Sequence, residues 1–429
     1  MTWFKEEGRL SEGKVLELAH RMADEARSRI CRDPKRVLLL PPDITRAHSG
    51  AGRIVEALYG IFSPTADVHV IPTLGQHVPH TPEQNRWMFG SIPEEKIHAH
   101  DWRNGVRTIG EVPASYVKEV SGGKADWAIP VSLNRMLLEG EWDLILNVGH
   151  VVPHEVLGFA NHNKNYFIGL GGKPMICASH MMAACCGIEN NLGNLITPLR
   201  ACYNKAQQEF LADLPDVFFE VVMAYDENGQ LGHTGVYVGD DLDTYLDAAK
   251  ASRDQNITVV PPLKKVVAVM QGDEFYSTWV ANKAIYRTRM AMADGGELLI
   301  IAPGLKRFGE QEDVDALIRK YGYSGTENVM KLWKTEPVLQ DLTHGTAHLI
   351  HGSSEGRFQI TYAPGHLTKE EINGVCFGYA DLEETLKRYD PAVMRNGFNT
   401  MPDGEEVYYI STPSAGLWTT REKLEKRNV

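Results

Sequence analysis

No stretch of the 429 residues approaches the roughly 18–20 consecutive apolar positions that a membrane-spanning helix needs. Positive charge is also short: 44 Lys and Arg stand against 56 Asp and Glu, for a net charge of −12. So acidic a chain is a poor partner for nucleic acid or an anionic membrane, although a local basic pocket for a small anion stays open to it. The six cysteines, Cys31, Cys177, Cys185, Cys186, Cys202 and Cys376, form no C-x-x-C pair and no framework spacing, so reduced thiols are expected. Cys185 and Cys186, just after His180, are expected in the core rather than on a soft metal. There is also no H-E-x-x-H, and no strand-like run leads into G-x-G-x-x-G. "GLGGKP" at Gly169 to Pro174 matches neither that fingerprint nor a P-loop. The opening "MTWFKEEGRLSEGK" is polar and acidic, unlike a secretory or transit peptide. The expectation is a cytoplasmic protein whose partner is a small molecule.

What is present reads as α/β. "RVLLLPPDIT", "DVHVIPTLGQH" and "WDLILNVGHVVPH" are strand-length runs rich in Val, Ile and Leu, each closing in a Pro, Gly or Asp loop as parallel strands do. A fresh strand, Lys265 to Met270, follows a Pro-Pro pair. After it a helical pattern runs from about Tyr276 to Asp294, with Gly295-Gly296 as its stop, and "ELLIIAPG" resumes as a strand. Length alone suggests two domains. We expect two α/β domains with mainly parallel sheets, residues 1–260 and 261–429, and an active site in the cleft between them. "TREKLEKRNV" reads as a charged terminal helix. Nothing in the pattern specifies an oligomeric state.

In parallel sheets ligands bind beyond the carboxyl ends of the strands, so the polar residues that close these runs are the candidates. Asp43 and Arg46 close the first, in a Gly- and Ser-bearing loop where an Arg fork suits phosphate or carboxylate, and where Asp also serves as an ordinary turn residue. His77 closes the second. His80 follows it at a helix entry, where Thr81-Pro82 form an N-cap and first helical position. His154 closes the third, and the stretch Asn147 to Met181 gathers His150, His154, His162 and His180 around Lys164. Either this is a solvated surface loop, or the lysine is neutral, desolvated and available for covalent chemistry.

These segments together resemble the nickel-pincer lactate racemase family. "PPDITR" is similar to its D-x-T-R loop, and "GQHVPHT" to its G-T-H-R-P-x-T. "PHEVLGFANHNKNYFIG" is similar to its P-H-x-x-x-G-F-x-G-G-x-K-x-x-x-P-G. The resemblance spans nearly the whole chain and implies roles: His77 and His154 as catalytic acid–bases, and Lys164 as the tether of the nickel-pincer nucleotide (pyridinium-3-thioamide-5-thiocarboxylic acid mononucleotide). It further implies His180 as nickel ligand, Lys283 as the group that binds substrate carboxylate, and Asp43 and Arg46 beside cofactor or substrate. The implied activity is inversion of C2 in a 2-hydroxy acid by hydride transfer.

The chain also departs from the family. Val78 stands where the family has Arg, "ANHN" replaces the small S-G-G run before the lysine, and Val280 replaces a Gln. With His150 and His162 expected to line the cleft, and Asn161 or Asn163 adding polar groups, the expected substrate is larger or more polar than lactate, such as a sugar acid. Two rivals use the same residues: a metal-dependent hydrolase, and a non-catalytic protein that binds a hydroxy acid.

Overall fold

In a computed structural model, described for residues 1–226, 230–272 and 275–425, the chain divides into two units. The first is Met1–Ser179 with Gly193–Gln255, and the second is His180–Leu192 with Asn256–Val429. Among the described residues no helix is long and apolar enough to cross a membrane.

The first unit is built on a six-stranded sheet in the order Thr2–Leu10, Leu231–Gly239, Asp216–Tyr225, Leu144–His150, Arg36–Leu40, Asp67–Val70. The last four are parallel, and three of these are the apolar runs that the sequence marks. Leu144–His150 is buried at every position, as a central strand covered on both faces must be. The first two strands of the order extend the sheet antiparallel. Alternate residues of one strand serve two cores. Val236 and Val238 pack with Leu18, Met22, Ile54 and Leu58 of helices Glu12–Ile30 and Ala51–Phe62. Val222, Tyr237, Tyr245 and Phe159 build the core on the other face.

The second unit carries another six-stranded sheet, ordered Gly378–Tyr379, Gln359–Pro364, Met292–Ala302, Leu263–Val269, Glu406–Ile410, Gly397–Thr400. It is parallel except at the last pair. Both sheets are therefore mainly parallel, as the alternation of runs implies.

One expectation fails here. The region expected as a helix from Tyr276 to Asp294 holds two short helices, Thr278–Ala281 and Lys283–Thr288, and strand begins at Met292. Gly295-Gly296 lies inside that strand and does not stop a helix. Gly295 has φ 75°, and pairing jumps from Leu263↔Met292 to Lys265↔Glu297, so the glycines form a bulge that bends the strand into register. The terminal helix spans Arg421–Glu425, and residues 426–429 of that expectation lie outside the described residues.

Candidate functional site in the first unit

Arg36–Leu40, Asp67–Val70 and Leu144–His150 are neighbours, so the loops that leave their carboxyl ends fall side by side. The first loop carries Asp43 and Arg46, and the second carries His77. These loops are bonded to each other and to the segment after Lys164. His80 Nε2 accepts the Ile44 N–H at 2.9 Å, while its other nitrogen meets Asn85 Oδ1, so His80 ties two loops together and burial holds its pKa down. Gly75 N–H donates to Gly169 O at 2.8 Å, joining the His77 loop to the turn Asn165–Gly169 that Lys164 caps. Thr81 forms the expected N-cap, completed by Gln84 into a capping box.

Asp43 is buried (7% exposed) and hydrogen-bonds His77 Nδ1, whose ring is half exposed (49%). Burial alone would raise the Asp43 carboxyl. His77, the Thr45 hydroxyl at 2.6 Å and Arg46 outweigh it and hold the carboxyl well below the usual range. A carboxylate on Nδ1 fixes that nitrogen as the N–H donor and makes Nε2 the basic one. This is the tautomer a general base needs. His154 is set up in the opposite sense. Its Nδ1 accepts the Val156 N–H at 3.2 Å, so in the neutral ring the proton sits on Nε2, 4.0 Å from Glu155.

Lys164 is half-buried, and its amine is pushed down to about 7. Burial is the main cause, followed by the Arg46 and Arg200 guanidiniums, against the pull of Asp43 and Glu155. About half of such amines are neutral near pH 7, against under a thousandth of ordinary lysines. The first unit thus brings Asp43, Arg46, His77 and Lys164 under one another's influence, with Glu155 beside His154. His180 and Lys283 lie in the second unit, both half-buried: His180 in helix Lys173–Cys186 and Lys283 as the first residue of Lys283–Thr288.

Other expectations are corrected. His162 does not line a cleft: it is 1% exposed, its Nδ1 bonds Glu220 Oε1 at 3.0 Å, and its ring lies 4.0 Å from Phe218 and 5.3 Å from Tyr245. His150 is buried as well, edge-on to His48. Asn161 and Asn163 are buried and bonded inward. Asn161 Oδ1 accepts from Asn165 at 2.6 Å, and Asn163 joins Asn204, Gln207 and Arg200. A polar side chain in an apolar interior has to find its partner there, as His162 and Asn163 have done. Glu155, Arg200 and Glu220 were missed. Only Glu220 left a trace in the sequence, as a lone acid inside "VFFEVVMA".

Residues 12–191 match the family described as the lactate racemase N-terminal domain. Among solved structures, a protein from Thermotoga maritima is 23% identical with TM-score 0.79, covering 97% of this chain and 100% of its own. The lactate racemase apoprotein from Thermoanaerobacterium thermosaccharolyticum is 15% identical with TM-score 0.71, covering 96% of this chain and 93% of its own. No curated protein matches.

Proposed function

We propose, for a chain whose residues 12–191 match the lactate racemase N-terminal domain, that it inverts C2 of a 2-hydroxy acid with a nickel-pincer nucleotide tethered to Lys164. The observation that carries this reading is the Lys164 amine at about 7 beside the Asp43–His77 pair. A neutral amine can form a covalent bond to an acyl or thioacyl carbon, and the Arg46 guanidinium beside it suits a phosphate-bearing group. Among the described residues no three His, Cys, Asp or Glu are grouped to hold a metal themselves. In this reading the nucleotide would supply most of the metal's donors and His180 a protein imidazole.

When bound, the nucleotide supplies a hydride acceptor, so C2 gives up hydrogen with both electrons and the strongly disfavoured carbanion is avoided. The chain's residues handle the proton. His77, through its basic Nε2, takes the hydroxyl proton as C2 becomes a planar 2-keto acid, and Asp43 stabilises the charge that His77 gains. For the opposite enantiomer, His154 gives an Nε2 proton to the same oxygen from its imidazolium form and ends as a neutral ring. That form carries a second proton on Nδ1 and so requires the Val156 N–H bond to open. The two rings end with their protonation exchanged, which suits the reverse direction. Lys283 and Arg46 are the cations proposed to hold the substrate carboxylate. The expectation of a more polar substrate loses its support, because Asn161, His162 and Asn163 face the interior. What is left is a larger substrate, resting on Val78 and Val280 as smaller side chains than the Arg and Gln of the family.

The test is intact mass together with isotope exchange. An excess over 47.9 kDa that disappears in Lys164→Ala, together with C2 inversion or C2 deuterium loss across a panel from lactate to aldonic acids, is expected. His180→Ala should lose nickel and keep the added mass. Inversion that persists in Lys164→Ala would overturn the reading.

A further inference from the structure

Two residues of "ANHNK" adopt a conformation that side chains disfavour. Asn161 has φ 67° and His162 has φ 56°, consecutive left-handed residues where neither is a glycine. Such a pair persists only where its surroundings over-determine it. The surroundings here are unusually complete. Arg200, wholly buried, donates to Phe159 O at 2.7 Å and reaches Asn161 O at 3.5 Å, with its guanidinium over the Tyr245 ring. Asn147 Nδ2 donates to His162 O at 3.3 Å, and Asn165 Nδ2 is shared by Asn147 and Asn161 at 2.6 Å each. Gly149, paired with Glu220 across the sheet, leaves the room that Asn161 fills: a Cβ there would stand 2.1 Å from Asn161 Oδ1.

The His162 side chain is the deepest of these anchors. Period two in Asp216–Tyr225 puts Phe218 and Glu220 on the same face, so one strand supplies both the ring that stacks on His162 and the carboxylate that bonds it. The turn so held continues directly into Lys164, whose N–H donates to Asn161 O at 3.3 Å, and into the turn Asn165–Gly169.

We propose that His162 and Glu220 are positioning residues for Lys164: their buried hydrogen bond locks the left-handed Asn161-His162 turn and so holds the lysine side chain in its half-buried place beside Arg46 and Asp43. Neither residue touches a reacting atom. Both act through the backbone that leads into the lysine. Where a glycine pair would adopt the turn freely, this chain fixes it with a side chain anchored in the sheet.

The inference rests on Lys164 being the functional amine, and its test reads that amine directly. The full chain, checked by intact mass to carry no adduct, is pulse-labelled with a small neutral acylating reagent over a pH series. Labelling of the Lys164 peptide is measured against the exposed Lys334. The unsubstituted chain is expected to label Lys164 with a midpoint near 7. His162→Gly, which permits the turn and removes the anchor, should raise the midpoint by about one pH unit or more and cut relative labelling at neutral pH about fivefold or more. Glu220→Gln keeps an acceptor for Nδ1 and should leave the original profile in place. His162→Asn, a residue that tolerates the left-handed region but is too short to reach Glu220, should behave like His162→Gly. A folded His162→Gly or His162→Asn with an unchanged profile overturns the proposal. So does global unfolding of both, which would make the pair a stability element only. The expected labelling pattern without C2 inversion by the cofactor-loaded chain would support the proposal and count against the isomerase reading alone.

Discussion

Histidines of the two units meet different partners. In the first unit His77 meets the Asp43 carboxylate and His162 meets Glu220. In the second, His348 sits between the Tyr286 hydroxyl at 2.9 Å and the Tyr323 hydroxyl at 3.1 Å, with the Trp279 ring 4.3 Å away. Its pKa is pushed down to about 3, by burial first and then by His351 and His344. The three share one face of helix Thr343–His351, at spacings of four and three. A row of imidazoles at helical spacing could be taken for a metal site. Here burial among neutral partners keeps His348 uncharged through the physiological range. A carboxylate beside the half-exposed His77 equips it to exchange protons, whereas one beside the enclosed His162 only anchors it, which is why sixteen histidines do not by themselves locate the chemistry.

The largest effect should come from making a first-unit histidine resemble its second-unit counterpart. Asp43→Asn leaves His77 a hydrogen-bonding partner without charge. It should lower C2 inversion by about 10²–10⁴-fold, comparable to His77→Ala, with the fold intact. Near-normal turnover in Asp43→Asn, measured in cofactor-loaded enzyme by chiral separation of the product, would mean that the carboxylate does not support His77.

A smaller effect is expected from the buried cation near Lys164. Arg200→Met strips donors from Phe159 O and Asn163 Oδ1 in the interior, and each orphaned acceptor costs about 1–3 kcal/mol. Lower urea midpoints should follow, with Lys164 titrating higher because one neighbouring positive charge is gone. An unchanged midpoint would mean that water reaches those acceptors.

Much of this was legible in the sequence. The runs ending at Asp43, His77 and His154 are parallel strands because Val, Ile and Leu, bounded by turn residues, have few other uses in a buried sheet. The residues at their ends converge because sheet topology makes them converge. The antiparallel extension was not legible: "DVFFEVVMAY" lacks clean alternation, being buried on both faces, and its partner is interrupted by glycines. Gly295-Gly296 misled because the same pair suits a helix stop and a strand bulge. The core placement of Asn161, His162 and Asn163 was hidden for a different reason. Polar residues beside a functional lysine suggest ligand contacts, and the partners that draw them inward are remote in the chain: Arg200 lies 37 residues beyond Asn163, and Glu220 lies 58 beyond His162.

The smallest effect tests the second unit's side of the contrast. The unfolded chain binds a proton on His348 below its ordinary pKa of about 6.5, whereas the folded chain resists it until about 3. Protons therefore favour the unfolded state across that window. Stability that is fully present above about pH 6.5 is lost as pH falls, by up to about 1.4 kcal/mol per pH unit. His348→Phe keeps the ring against Trp279 but gives up hydrogen bonds to Tyr286 and Tyr323, so near neutral pH it should be less stable by about 1–3 kcal/mol. Having no proton to exclude, it should then lose less on acidification. Urea midpoints of the two proteins should draw together between neutral and mildly acidic pH, and parallel curves would show that His348 takes up a proton in the folded state as readily as in the unfolded one.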